Sequence, residues 1–283
     1  MVRKIIIPVR GDGKGNNVLA HAAALARRFQ AHVVVTHCRP RPEDMLPFGV
    51  PIPAVLKAQL IQQAIELADQ EEGVLRAEFI QLAGTFGLEI TDHPNGKASA
   101  SWLEESGRQV DVIKRHGRLA DLIVVAKPDV DRNLGANTLK AALFHTGRPV
   151  MMCPPAKTPP EVLGDKITIA WNGSTESARA VALAMGIIEN ASEITVLSSG
   201  TEVPGTSSGD LQAYLAARDI KVKVERFETK RKLGDELLAR SKACGADLMI
   251  MGAYGNSHER ETVFGGNTQV IVDTAELPVI LVH

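Results

Sequence analysis

The sequence predicts an α/β protein of two tandem units, each an open, mainly parallel five-stranded sheet with helices on both faces. Three observations carry this reading. Apolar runs of about five residues, the length of strands buried on both faces, alternate with Ala-rich stretches of helical period. The same order of runs occurs twice along the chain. A Pro-rich segment stands between the two occurrences.

Taken in order, Lys4-Ile5-Ile6-Ile7-Pro8-Val9 reads as a strand, Arg10-Gly11-Asp12-Gly13 as a turn, residues 17–29 as a helix and 32–37 as a second strand. Residues 39–53 carry Pro40, Pro42, Pro47, Pro51 and Pro53, so they read as an extended connection. Residues 54–86 follow as an extra helix, with Val55, Leu56, Leu60, Ile61, Ile65, Leu67 and Ala68 at mostly helical spacing. Residues 88–93 read as a strand and 98–112 as a helix. Strands at 120–126 and 147–153 complete the first copy.

The second copy opens with Lys166-Ile167-Thr168-Ile169-Ala170-Trp171 as a strand, then the turn Asn172-Gly173-Ser174 and a helix over 175–189. Strand 193–198, helix 209–218, strand 221–227 and helix 232–244 follow. Gly96-Lys97-Ala98-Ser99-Ala100 takes the place of Lys232-Leu233-Gly234-Asp235-Glu236, whose acids suit a helix N-terminus. The closest matches come last. Ala120-Asp121-Leu122-Ile123-Val124-Val125-Ala126 parallels Ala246-Asp247-Leu248-Met249-Ile250-Met251-Gly252, and Gly147-Arg148-Pro149-Val150-Met151-Met152-Cys153 parallels Glu276-Leu277-Pro278-Val279-Ile280-Leu281-Val282. Four matches in register make a tandem duplication.

The boundary falls at Pro154-Pro155-Ala156-Lys157-Thr158-Pro159-Pro160, which continues neither strand nor helix. Residues 1–153 form the first domain, 154–160 the linker and 161–283 the second domain. Up to Pro160 there are 20 basic and 16 acidic residues, and beyond it 12 and 17. The near-zero total of -1 thus hides halves of +4 and -5, which attract each other weakly at physiological salt.

Several classes are excluded. No basic excess supports general nucleic-acid binding. No apolar run approaches the ~18 residues of a membrane span. Cys38, Cys153 and Cys244 are odd in number and far apart, which suits buried hydrophobes in a reducing compartment rather than disulfides or zinc. The first apolar run is too short for a signal peptide and no small-residue cleavage site follows it, so the expected location is the cytoplasm. No HExxH or paired-His spacing marks a metal site, and no G-x-S-x-G marks a nucleophile elbow. Paired carboxylates for glycoside hydrolysis are not suggested either.

Ligands of open parallel sheets bind at the carboxyl ends of strands. Two loops of the second copy stand there. In the first, Asn172 ends a strand, Gly173 permits a tight turn and Ser174 can cap the helix. The second contains Gly252-Ala253-Tyr254-Gly255, then nine residues, then Gly265-Gly266-Asn267-Thr268. Glycines ahead of a helix N-terminus let backbone N–H groups reach a phosphate, and Thr268 adds a hydroxyl. It is neither a Walker A loop nor a G-x-G-x-x-G fingerprint.

The spacing G-x2-G-x9-G, after one strand and before the last, resembles the nucleotide-binding loop of universal stress proteins. With the strand matches above, the resemblance covers essentially the whole chain as a tandem pair of such domains. It implies a Rossmann-like fold of the adenine nucleotide α-hydrolase type. It also implies ATP or a related adenine nucleotide as the ligand of the second domain, with magnesium left undecided. In ATP-binding members an acidic residue ends the first strand and a hydroxyl residue follows the third glycine. Here Asn172 and Gly266 stand at those positions, and Asn267 replaces an apolar residue. Asn172 still hydrogen-bonds but is no anionic acceptor. The candidate nucleotide site is Asn172, Gly173, Ser174, Gly252, Gly255, Gly265, Gly266, Asn267 and Thr268.

The first copy departs further. Arg10 takes the acidic position, Lys127 and Pro128 follow the strand where the first loop glycines belong, and only Gly135-Ala136-Asn137-Thr138 survives at the helix entry. This half reads as a degenerate site, with Arg10, Lys127 and Arg132 as anion contacts or as solvated charges. Tyr254 and His258 are open between ligand stacking and packing, and His37, His116 and His145 form no motif. No catalytic residue is identified. Three readings remain: a stress-response protein that binds ATP, with slow hydrolysis or none; an interaction scaffold; and an adenylyl-transfer enzyme, which the absence of HxGH and SGGxDS motifs disfavours. Members of the family commonly pair through their last strands. That implies pairing of 150–153 with 279–282 inside one chain, and leaves a homodimer of whole chains open.

Overall fold

A computed structural model describes residues 1–9, 13–39, 41, 53–129, 131–132, 134–255 and 266–283. The first half runs β1 (Lys4–Val9), α1 (Gly15–Phe29), β2 (His32–Arg39), α2 (Ala54–Thr85), β3 (Glu89–Ile90), β4 (Ser99–Ser106), α3 (Gln109–Gly117), β5 (Leu122–Ala126), α4 (Ala136–Thr146) and β6 (Val150–Cys153). The second runs β7 (Lys166–Trp171), α5 (Thr175–Leu183), α6 (Met185–Ile188), β8 (Glu193–Ser199), α7 (Ser208–Ala216), β9 (Lys223–Phe227), α8 (Leu233–Ala243), β10 (Leu248–Gly252), α9 (Gly266–Thr274) and β11 (Val279–Val282).

All strands join one sheet of order β3-β4-β2-β1-β5-β6-β11-β10-β7-β8-β9. Every pairing is parallel except β6 with β11, where Val279 faces Met152, Ile280 faces Met151 and Leu281 faces Val150. The halves therefore meet strand to strand and share a continuous backbone ladder. Helices α1, α2, α5, α6 and α7 cover one face, and α3, α4, α8 and α9 the other.

Strand residues alternate between the two cores, as the two-residue period requires. In β5, Leu122 and Val124 enter one core, Ile123 and Val125 the other. In β11, Ile280 and Val282 oppose Val279 and Leu281 in the same way. That double burial is why the sequence shows solid apolar runs rather than alternation. Pro8 leaves its own mark. It has no N–H, and the pairing of β1 with β5 covers only Ile5 and Ile6, whereas β7 and β10 pair over four residues.

The repeated Ala-Asp dipeptide has a structural reason. Asp121 accepts hydrogen bonds from the backbone N–H of Arg3 and Lys4 at 2.8 and 2.9 Å. Asp247 accepts from Gly164, Asp165 and Lys166 at 2.7, 3.0 and 3.1 Å. Each carboxylate thus satisfies the donors where the central strand of its half begins.

The structure corrects four sequence readings. Residues 98–112 are not a helix. They hold β4 and the start of α3, with Gly107 at φ 131 between them. The strand escaped notice because buried polar residues interrupt it: Ser99 and Ser101 bond the two ring nitrogens of buried His32, each at 2.9 Å. It follows that the N-cap of α3, Arg108, is the counterpart of Lys232, and Gly96–Ala100 is not. The strand expected over 88–93 shrinks to the two residues of β3, a sixth strand in the first half. The single helix expected over 175–189 breaks at Ala184, beside the point where the N-terminal Met1 packs against Gly186. The prolines expected to form an extended connection fall mostly outside the described residues.

Candidate functional site

A cleft of about 390 Å³ opens at the carboxyl ends of β7 and β10. That size falls within the ~300–1,000 Å³ of small-molecule sites. Ala170, Leu197, Leu233, Leu237 and Met251 give it apolar walls. Asn172, Ser174, Glu176, Ser199, Asn267 and Thr268 bring polar groups to it.

The β7–α5 turn forms one rim. Gly173 sits at φ 73 with Thr206 pressed against it, and a Cβ there would lie 2.8 Å from the Thr206 carbonyl oxygen. Ser174 caps α5, its Oγ accepting from the Ser177 N–H at 3.2 Å. Asn172 is exposed, and its Oδ1 accepts from the Ser174 N–H at 3.1 Å. One oxygen lone pair is thereby spent on the turn.

The glycine loop forms the other rim. A Cβ on Gly252 would lie 2.5 Å from the Ser177 nitrogen and 2.6 Å from the Glu176 carbonyl carbon. Gly252 is therefore glycine because α5 crosses directly over it. A Cβ on Gly255 would meet Glu176 Oε2 at 2.7 Å. Gly266 opens α9 and is exposed, and no atom of the described residues lies within 4 Å of a Cβ placed there. Asn267 is exposed beside it, and Thr268 is buried, its Oγ1 accepting from the Tyr254 N–H at 3.4 Å. Gly265 and His258 lie outside the described residues.

Of the expected site, then, Asn172, Ser174, Gly252, Gly255, Gly266, Asn267 and Thr268 line one cleft, with Gly173 in its rim. Sequence reasoning missed Glu176. An acid in a first helical turn reads as a dipole partner, and only the approach of the glycine loop reveals it as a cleft residue.

Tyr254 lines the cleft and also packs against the first half. It holds φ 63, is buried, and its ring lies 5.3 Å from Phe144 of the first half, which also meets His283 edge-on at 4.8 Å. Burial pushes its phenol above the ordinary tyrosine range.

The corresponding end of the first half differs. There, between Val9, Lys14, Val35, Ala126 and Thr138 on one side and Leu75, Phe79 and Leu82 of α2 on the other, only about 60 Å³ remains. Lys14 pairs with Asp129 at 3.2 Å. Asp129 also accepts from the Arg132 N–H, and these bonds hold its carboxyl below the usual range. Lys127 donates to the Ala275 carbonyl of the second half at 3.1 Å, and burial pulls its ammonium down. Arg10 lies outside the described residues.

Known proteins share this architecture. A universal stress protein from Archaeoglobus fulgidus matches with a TM-score of 0.73 at 15% identity, over 99% of this chain and 95% of that one. A functionally unknown protein from Pseudomonas aeruginosa matches with a TM-score of 0.54 at 18% identity, over 99% and 92%. At these identities the likeness is one of fold. No curated protein matches the sequence significantly. The universal stress protein family, however, matches residues 1–136 and 164–283, one span in each copy of the repeat. The chain belongs to the universal stress protein family.

Proposed function

We propose that the second-half cleft binds ATP or a related adenine nucleotide, and that the protein serves a stress response through that binding. The observation that carries this reading is the meeting of two loops at one cleft. The capped turn at Asn172–Ser174 faces the exposed N-terminus of α9 at Gly266 and Asn267 across apolar walls.

Charge sets the orientation. The N-terminal end of α9 is the positive end of the helix dipole, so the phosphates belong there. The Glu176 carboxylate repels them from the α5 side and suits the nucleoside's hydroxyl and amino donors instead. The flat walls of Leu197, Leu233 and Met251 accept the base. Binding, rather than turnover, is the activity proposed.

Calorimetric titration with ATP, ADP and AMP tests this. Saturable binding below millimolar nucleotide is expected, with affinity falling at least tenfold in Gly266→Val. Among the described residues, that substitution meets no atom within 4 Å. A wild-type protein that takes up no nucleotide would leave the family's interaction-scaffold reading in place.

A further inference from the structure

The end of the first half that corresponds to the second-half cleft is narrowed but not filled. Pro8, Val9, Ala126 and Thr138 line the hollow there, and their partners in the repeat, Ala170, Trp171, Gly252 and Thr268, line the cleft of the second half. Duplication therefore left both halves a hollow at one place, the carboxyl ends of the central strands, where open parallel sheets take ligands. What differs is the wall. In the first half, Val18, Leu19 and Val35 of α1 and β2 face Leu75, Phe79 and Leu82 of α2 across it.

That apolar wall contains a donor without a partner. Trp102 lines the hollow, its ring stacked on His37 and tilted against Phe79, each centroid 5.6 Å away. Its indole Nε1 is buried and has no hydrogen-bond partner among the described residues. Trp171, at the matching end of the second half, donates its Nε1–H to the Thr206 carbonyl at 2.9 Å. A buried donor left unpaired is costly, and native structures pair nearly all of them. A guest that brings an acceptor atom removes that cost. Thr138 makes no such demand, because it already donates to Gln109 at 3.2 Å.

Charge and size narrow the guest. Among the described residues, the charged side chains in the wall are Lys14, which pairs with Asp129 at 3.2 Å, and Glu78, of opposite sign. Neither sign is in excess, so a formal charge on the guest would not recover its desolvation cost. An apolar cavity that takes benzene measures ~150 Å³, and one water needs ~10–15 Å³. At about 60 Å³ the hollow fits about four or five heavy atoms and not a ring.

We propose that the first half keeps a ligand site of its own in this hollow. Its ligand is a short, uncharged aliphatic ketone, aldehyde or alcohol whose oxygen accepts the Trp102 indole N–H. The site is independent of nucleotide binding in the second half.

Titration of the whole nitrogen-15-labelled chain with 2-butanone, followed through the indole N–H resonances, tests the proposal. The chain has two tryptophans, and Trp171→Phe assigns their two signals. The Trp102 signal should move downfield and saturate at millimolar ketone, while the Trp171 signal, already hydrogen-bonded, stays in place. Cyclohexanone, a bulkier ring, should bind at least tenfold more weakly, and Leu75→Ala should reverse that order by opening the α2 side of the wall. Ala126→Val adds two carbons to the opposite side and should weaken 2-butanone binding at least tenfold. The two substitutions act in opposite senses, so that if one variant fails to fold the other still decides. A Trp102 signal that 2-butanone leaves in place would mean a hollow that holds water only, and would overturn the proposal. A shift that does not saturate, that both tryptophans share, or that neither substitution alters would overturn it as well.

Discussion

At the scale of single residues, the loop glycines show how spacing finds a position before it explains it. Gly252 and Gly255 were legible from their interval, but a phosphate was the expected reason for them. The structure supplies a nearer one for Gly252, where the backbone of α5 leaves no room for a Cβ; at Gly255 a Cβ would meet only the movable carboxylate tip of Glu176. Glu176 itself was illegible because nothing local distinguishes an acid that faces a cleft from one that faces water. Asn172 offers the sharpest residue-level test. Its Oδ1 already accepts from the Ser174 N–H, and an aspartate accepts the same bond. Asn172→Asp should therefore leave stability within about 0.5 kcal/mol of wild type, as exposed substitutions usually do. It should tighten ATP binding about fivefold if the residue faces a nucleoside donor, the ~1 kcal/mol that separates a charge-assisted hydrogen bond from a neutral one. Paired melting and calorimetry report both numbers, and weaker binding by the aspartate would place phosphate rather than nucleoside at this rim.

At the scale of elements, helices of strong period were readable to within a few residues, and β4 was not. Its buried serines are satisfied by His32, a partner far away in sequence. The extra helix α2 was readable, but not what holds it. Arg39 of β2 pairs with Asp69 at 2.6 Å, approaches Glu72 at 3.8 Å and donates to the Ile65 carbonyl at 3.1 Å. Glu72 also meets Glu104 of β4, whose two oxygens are buried without a conventional donor, while His37 stands 3.5 Å from Glu104 and stacks on Trp102. Two carboxyls in contact need one proton between them. The hydrogen bond to Glu104, then burial, accordingly raise the Glu72 carboxyl above its ordinary 4.5, against the pull of Arg39 and His37. An acid whose folded pKa is raised stabilises fully below its unfolded pKa, and that stability fades as pH climbs through the folded value. Glu72→Gln donates to Glu104 without a titrating proton. Its melting temperature should match wild type near pH 4.5 and exceed it increasingly toward pH 8. A difference that stays flat with pH would mean the carboxyl pair does not fasten α2.

At the scale of the whole molecule, duplication was read from four matched runs, and the opposite charges of the halves were read from counting. What counting cannot show is where those charges meet. Arg28 of the first half bonds Asp165 at 3.1 Å and the Asn190 carbonyl. Lys127 reaches the Ala275 carbonyl with Asp273 and Glu276 nearby. These contacts flank the antiparallel β6–β11 seam, and residues of both halves fill both cores. A sheet continuous through its middle should unfold as one unit, because opening either half exposes the other's buried edge. Phe144 tests this from one side of the seam. Its ring is partly buried and meets Tyr254 and His283 across the boundary. Phe144→Ala should cost about 1–2 kcal/mol, below the ~3–5 of a fully buried ring. It should shift a single unfolding transition without splitting it. Because Tyr254 sits between Gly252 and Gly255, the same substitution should also weaken nucleotide binding in the second half, although Phe144 is not among the residues that line that cleft. Two separate transitions in urea, with only the first-half one displaced, would show that a shared ladder joins the halves in space but not in energy.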